Sequence, residues 1–295
     1  MTTVANADVV SPSGQELTRQ ERDYLFDVNG YRVLPGALSG EQLQAINAWV
    51  DAQDPSTLRP GEWIGDVEVH TYGAEDGVNF QNIIEGGPAF EELIDHPSWI
   101  DEVRRYIISG AHQQLRIDEC FLNVRRSGGY IPIHSGGDNV RFTGLFRWHN
   151  GNWAVGQINI LMALTDIGYD DGATTIVPGS HKAHSVHPHS NWTAGHSADQ
   201  AIGMREVHLR AGDALMFTDG ICHGSMPRTN PGERRVLIYR YAPQLLAPRM
   251  NYLPTEELMA RLTPVRRAIV MPTAPRMRPG RTLAAEAFPH NAVGG

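Results

Sequence analysis

The stretch Gln157-Ile158-Asn159-Ile160-Leu161-Met162-Ala163-Leu164-Thr165-Asp166 decides how this chain is built. Its apolar run is far shorter than the ~20 residues needed to span a bilayer. It is also closed by polar residues before it reaches helix length, so it reads as a strand buried in a core. Working outward, similar short runs occur on both sides: Phe121 to Val124, Tyr130 to Ile133, Leu145 to Trp148, Thr174 to Val177, Val207 to Leu209, Ala214 to Phe217 and Val236 to Tyr241. Gly, Pro and Asn punctuate them. Strands at that spacing predict an all-β barrel or sandwich over about residues 116 to 245, not a series of βαβ units.

Beyond this core the signals become helical. Thr18 with Glu21 and Ser39 with Gln42 match the S/T-x-x-E/Q box, in which two side chains satisfy free donors at a helix start. Leu43, Ile46, Trp49 and Val50 place one apolar stripe on the second helix, and Asp54-Pro55 ends it. Tyr31 to Gly36 reads as a short strand entering a turn. After Pro254, Thr255 caps a helix over Glu256 to Leu262, and Thr263-Pro264 starts another, with Pro at the first helical position where its missing N–H costs nothing. Met271 to Gly295 reads as a loose tail. With 295 residues and no internal repeat, residues 1–295 form one expected domain.

Composition narrows the class. A net charge of −8 with 41% hydrophobic and 20% charged residues is that of an ordinary globular chain, which argues against a general nucleic-acid binder. Cys120 and Cys222 are too few for a disulfide framework and sit in apolar contexts that suit reduced thiols. Met1 to Ser13 lacks a basic segment followed by an apolar one. The expectation is a cytoplasmic protein with a small-molecule partner and no membrane span; composition does not address its oligomeric state.

Two segments carry chemistry. In Tyr130-Ile131-Pro132-Ile133-His134-Ser135-Gly136-Gly137-Asp138 a strand delivers His134 into a glycine-rich turn. In Ala214-Leu215-Met216-Phe217, followed by Asp219-Gly220 and Cys222-His223-Gly224-Ser225, His223 reaches a second strand end. Arg234 follows eleven residues after His223, ahead of the apolar Val236-Leu237-Ile238. Strand alternation sends either Arg234 or Arg235 inward. Two imidazoles and an inward guanidinium suit a ferrous ion beside a dicarboxylate, because imidazole suits Fe(II) and arginine grips a carboxylate with two parallel hydrogen bonds.

These segments, with Leu164-Thr165-Asp166, Asp171-Gly172 and Val177-Pro178-Gly179-Ser180-His181-Lys182, resemble the phytanoyl-CoA dioxygenase-like branch of the Fe(II)/2-oxoglutarate oxygenases over roughly residues 20 to 270. The resemblance implies a mostly β fold with flanking helices, a double-stranded β-helix of the jelly-roll or cupin-like type. It implies iron held by His134 and His223, and 2-oxoglutarate held at its distal carboxylate by Arg234 and Ser225, with His181 structural. It also makes Arg234, not Arg235, the inward residue. Asn123, Gln157 and Asn159 alternate with apolar neighbours and are candidate contacts to the cosubstrate.

The departure from the family lies at Gly136. The family pattern is His-x-Asp, and the glycine removes the carboxylate. His-x-Gly resembles the iron halogenases, where one missing negative charge and one open position favour a halide. The leading expectation is therefore an Fe(II)/2-oxoglutarate- and O2-dependent halogenase, with chloride at Gly136, acting on an aliphatic C–H of a small anionic, nucleotide-like metabolite. A hydroxylase with Asp138 or water as third ligand is the alternative, His149-Asn150 offering an amide; a non-catalytic ligand-binding jelly roll is the second. Gly136-Gly137 also reads as a turn dipeptide, with Gly136 at positive φ. Arg125, Arg126, Arg141 and Arg147 cluster in sequence around His134 and point to an anionic substrate, and Trp148 with Trp153 to a planar ring. His181, His184, His187 and His189 lie in a Pro-containing loop and read as solvated rather than as a zinc set.

Overall fold

A computed structural model describes residues 16–73, 77–107, 114–126, 128–136, 142–149, 151–190, 201–244, 252 and 254–271. Asp138 and Arg141 lie outside the described residues, as does the expected tail beyond residue 271. The first half holds α1 (Arg19–Asn29), β1 (Tyr31–Leu34), α2 (Gly40–Gln53), β2 (Trp63–Ile64), β3 (Val67–His70), β4 (Val78–Gln81), α3 (Pro88–Glu91), α4 (Ile100–Ile107) and β5 (Leu115–Arg125). The second holds β6 (Ile131–His134), β7 (Phe146–His149), β8 (Asn152–Val155), β9 (Ile158–Ala163), β10 (Thr174–Ile176), β11 (Arg205–Val207), β12 (Ala214–Thr218), β13 (His223–Ser225), β14 (Arg234–Pro243), α5 (Glu256–Arg261) and α6 (Pro264–Val270).

Local chemistry sets the flanking helices. Both expected capping boxes form: the Thr18 and Ser39 hydroxyls accept from the Glu21 and Gln42 amides, and those side chains return to the cap amides. Gly30 ends α1 in the left-handed conformation, as does Asp54 after α2. Thr255 and Thr263 cap α5 and α6.

The strands form a large sheet in the order β1-β12-β9-β14-β5-β4-β3-β2 and a smaller one in the order β11-β10-β13-β6, with β7 and β8 as a separate hairpin. Every strand pairing described is antiparallel. Alternation gives the large sheet two apolar faces. One carries Leu122, Val124, Ile160, Met162, Met216, Leu237 and Tyr239 and packs with the helices. The other carries Phe121, Leu161, Phe217, Val236 and Ile238 and meets Ile176 and Val207 of the small sheet. This second layer is the interior of a double-stranded β-helix. Strands β2 to β4 extend the large sheet in a region that the sequence reading left without strands. The expected strand at Val207 to Leu209 begins earlier, at Arg205, and Leu209 makes only an isolated bridge to Ile167.

Candidate functional site

Strands β6 and β13 are neighbours in the small sheet, and their register puts His134 directly opposite His223. The two rings lie 4.1 Å apart between centroids, and Phe217 packs edge-on against His223 at 4.9 Å. Each imidazole is oriented by its own strand: Nδ1 of His134 lies 2.9 Å from the Pro132 carbonyl, and Nδ1 of His223 lies 2.8 Å from the Ile221 carbonyl. A carbonyl oxygen only accepts, so both Nδ1 atoms carry the proton and Nε2 is the ring atom through which each could ligate. Burial and the neighbouring His223 push the His134 pKa down to about 3, so the ring stays neutral at physiological pH. Two pre-oriented imidazoles fit a divalent transition ion such as Fe(II). Among the described residues, no three His, Cys, Asp or Glu side chains are already gathered as an ion would hold them.

The expected open space at Gly136 is not there. A Cβ built on Gly136 would overlap Oδ2 of Asp219 and lie 2.7 Å from its Cγ and 2.9 Å from its carbonyl oxygen. The Gly136 amide donates to the Asp219 carbonyl at 2.8 Å, and the Ser135 hydroxyl to the Gly220 carbonyl at 2.8 Å. The two loops are thus stitched together, and the Asp219 carboxylate occupies the place a side chain at 136 would take. Gly136 does lie in a turn but is not among the positive-φ residues, so the positive-φ expectation is corrected: the glycine is required by contact, not by φ. Asp219 is 3% exposed, and its Oδ1 accepts from Asn159 at 3.3 Å.

At the other end of the interior, Arg234 and Arg125 are cross-strand partners on β14 and β5, 2% and 1% exposed. Arg234 donates to Asn123 Oδ1 at 3.3 Å and to Thr174 Oγ1 at 3.2 Å; Arg125 donates to Ser225 Oγ at 2.7 Å. Ser225 Oγ also accepts the Ile131 amide at 2.9 Å, so its own hydrogen is what it can offer an anion. Two guanidinium groups at facing buried positions, with a hydroxyl between strands, fit a carboxylate. Arg235 points to the opposite face and pairs with Glu233 and Asp51 at 2.8 and 2.7 Å.

Other expected contacts separate. Asn123 sits beside Arg234, but Asn159 pairs in register with Arg240, six residues along β14 from Arg234 and about 20 Å away at the rise of a strand. Gln157 donates to Asp118 at 3.1 Å. Neither Gln157 nor Asn159 therefore belongs to the Arg234 end. The arginine cluster also disperses: Arg126 is exposed and pairs with Glu233, Arg147 is exposed on β7, and among the described residues of the cluster only Arg125 turns inward. Trp148, 58% exposed, packs on Trp153 across the β7 to β8 hairpin. His181 is buried against Gly30 and Phe146, with Nε2 3.0 Å from the Asp27 carbonyl. A buried polar group that the sequence reading missed lies beside Asn159: Arg240 pairs with Glu119 at 3.0 Å, Gln81 donates to Glu119 at 3.1 Å, and the Tyr72 hydroxyl bonds to the same carboxylate.

The profile of the phytanoyl-CoA dioxygenase (PhyH) family matches residues 26–236. The chain belongs to the phytanoyl-CoA dioxygenase family. Among curated relatives of this PhyH chain, the dioxygenase cdmD of Talaromyces verruculosus is 30% identical over 116 residues, 39% of this chain and 35% of cdmD. The matched part thus spans about a third of that relative's length. Among solved structures, HygX from Streptomyces hygroscopicus with nickel, 2-oxoglutarate and hygromycin B bound superposes with a TM-score of 0.65 at 21% identity, covering 82% of this chain and 94% of HygX. SnoN, a non-heme alpha ketoglutarate dependent epimerase from nogalamycin biosynthesis, superposes at 0.53 with 17% identity, over 89% and 94% of the two chains. At these identities the structures share a fold with the PhyH chain.

Proposed function

We propose that the protein is an Fe(II)- and 2-oxoglutarate-dependent oxygenase that hydroxylates a C–H bond of a small polar molecule. The observation that carries this is the pair His134 and His223, cross-strand partners with ring centroids 4.1 Å apart and each Nδ1 on a backbone carbonyl. Those two imidazoles would hold the iron. Arg234, Ser225 and Arg125 would hold the distal carboxylate of 2-oxoglutarate, their guanidinium groups replacing its lost hydration by directed hydrogen bonds. Bound iron would couple the oxidative decarboxylation of this cosubstrate, which gives two of the four electrons that O2 takes up, to oxidation of the substrate C–H bond, which gives the other two: one oxygen atom would end in succinate, released with CO2, and the other in the hydroxyl group of the product. The apolar wall of Phe121, Phe217 and Ile238 keeps bulk water away from the reacting region. The Arg240 and Glu119 pair offers both a donor and an acceptor to substrate hydroxyl or amide groups.

Chlorination remains the second reading because position 136 has no carboxylate of its own. Hydroxylation is favoured because the Asp219 carboxylate takes that place, and its charge and bulk both oppose a halide there. The test is O2-dependent conversion of 2-oxoglutarate to succinate by the iron-loaded protein, with and without chloride, across a panel of polar metabolites, with product masses recorded. Succinate with an added oxygen in the product is expected. A chlorine-containing product would establish the second reading, and absence of both succinate formation and iron binding would leave a non-catalytic jelly roll.

A further inference from the structure

From one row of side chains on the inner face of the large sheet we infer that the molecule acted on is a polyol, held through its hydroxyl groups by Gln81, Asn159 and Arg240. The inference rests on the oxygenase reading for the reaction and adds the class of substrate.

Strand register builds the row. Phe217 of β12 stands opposite Asn159 of β9, Asn159 opposite Arg240 of β14, and Arg240 opposite Glu119 of β5. Neighbouring strands lie about 4.8 Å apart, so Arg240 is roughly 10 Å from Phe217. Phe217 packs edge-on against His223, with 4.9 Å between centroids, which puts the imidazole pair at one end of the row. At the other end Glu119 receives Arg240 at 3.0 Å, Gln81 at 3.1 Å and the Tyr72 hydroxyl. Gln81 joins from β4, where it stands opposite Phe121 on the same inner face. Tyr72 is 48% exposed, so the row runs from solvent to the imidazoles.

Three polar atoms of this row have no partner among the described residues: Oε1 of Gln81, Oδ1 of Asn159 and Nε of Arg240. Gln81 and Asn159 are both fully buried. Which amide atom is the oxygen is set by the neighbours. Gln81 turns Nε2 to Glu119, and Asn159 turns Nδ2 to Asp219 at 3.3 Å, because a carboxylate accepts and does not donate. A buried acceptor without a donor is costly, so the row calls for a ligand that supplies one. The three atoms also define its chemistry. Two carbonyl oxygens need donors, which a carboxylate or phosphate group lacks, and Glu119 and Asp219 repel an anion. Arg240 Nε needs an acceptor, which an ammonium group is not. A hydroxyl group both donates and accepts, and adjacent hydroxyl groups on one carbon skeleton satisfy all three atoms.

The test is ligand-detected NMR on the full chain, alone and loaded with Zn(II) and 2-oxoglutarate, whose own binding is measured first by calorimetric titration. The probes are myo-inositol and methyl glucoside as polyols, acetate and methyl phosphate as anions, and methylammonium as a cation. In the loaded protein both polyols should bind roughly 10-fold or more tightly than any charged probe. Gln81→Met and Asn159→Leu, close in shape but without the carbonyl, should each weaken polyol binding by about 10-fold, as expected for a lost hydrogen bond to a buried group. Gln81→Met should bind 2-oxoglutarate as the parent does, since the Arg234 end is separate. Polyol binding no tighter than that of the charged probes, or unchanged in both variants, would overturn the inference. With Zn(II) and 2-oxoglutarate still bound, the oxygenase reading would then stand. Polyol binding by a parent chain that takes up neither Zn(II) nor 2-oxoglutarate would uphold the polyol site and bring down the oxygenase reading instead. The comparison of probes on the parent decides the question even where a variant does not fold.

Discussion

At Arg234 and Arg235 strand alternation separates interior from surface. Arg234 lies in the interior beside Arg125 and Ser225, while Arg235 lies outside on Glu233 and Asp51. Truncating one partner of a buried charge pair costs about 2–5 kcal/mol. Arg234→Ala should therefore weaken 2-oxoglutarate binding by roughly 30-fold or more at ~1.4 kcal/mol per decade. Arg235→Ala should leave it unchanged, as anaerobic calorimetric titration of the metal-loaded protein will show; the reverse result would mean the strand was assigned backwards. Gly136→Asp makes a different prediction. The new side chain overlaps Asp219, and overpacking of this kind costs about 1–3 kcal/mol, so the urea midpoint should fall. An unchanged midpoint would show that the loop yields freely. The placing of His134, His223 and Ser225 on short strands and of Arg234 at the start of the ten-residue β14 was readable from the spacing of apolar runs. Asp219 was not, because its relation to Gly136 is made across 83 residues of chain by loop packing. The available signal was parity: Asp219 shares the inward phase of Leu215 and Phe217.

At the scale of elements, α1 is tied to the segment that follows β10 by His181, by the Lys182–Asp27 ion pair at 2.6 Å and by the Gly179 amide on the Asn29 carbonyl at 2.9 Å. Gly30, at φ 79°, ends α1, and a Cβ there would lie 2.8 Å from Cε1 of His181. Gly30→Ala combines that clash with a left-handed backbone that costs an L-residue roughly 1–2 kcal/mol. Its denaturation midpoint should drop clearly below the parent's; equality would show that His181 swings aside. Burial, opposed by the Asp27 carbonyl, pushes the His181 pKa down from its ordinary 6.5 to about 4. The unfolded chain then binds a proton that the fold refuses, so the stabilisation is complete above pH 6.5 and declines as pH falls toward 4. Unfolding midpoints measured across that window should decrease, and His181→Gln should remove part of the slope. An identical slope in His181→Gln would contradict the assignment. The capping boxes and the β9 run were readable because their causes are local. Strands β2 to β4 were not, since each is only two to four residues long and is held in register by β5 and its neighbours.

Over the whole molecule, the β-helix divides polar work between the ends of one apolar interior. Arg234, Arg125 and Ser225 stand at one end, and Asn159, Asp219, Glu119 and Arg240 at the other. The imidazoles enter from the small sheet. Ligands that bind this folded interior and not the open chain stabilise it, by about 2.7 kcal/mol at 100 times the dissociation constant. Co(II) with 2-oxoglutarate should thus raise the melting temperature of the parent but not that of His223→Ala. Equal shifts would place the ligands elsewhere. The sequence-derived arginine cluster shows the limit of reading by proximity along the chain: Arg125 and Arg126 are neighbours there and face opposite sides of the sheet. The most direct test of the account is iron stoichiometry after anaerobic reconstitution of the parent, His134→Ala and His223→Ala. One iron per parent chain and none in either variant is the predicted result; stoichiometric iron retained in either variant would contradict it.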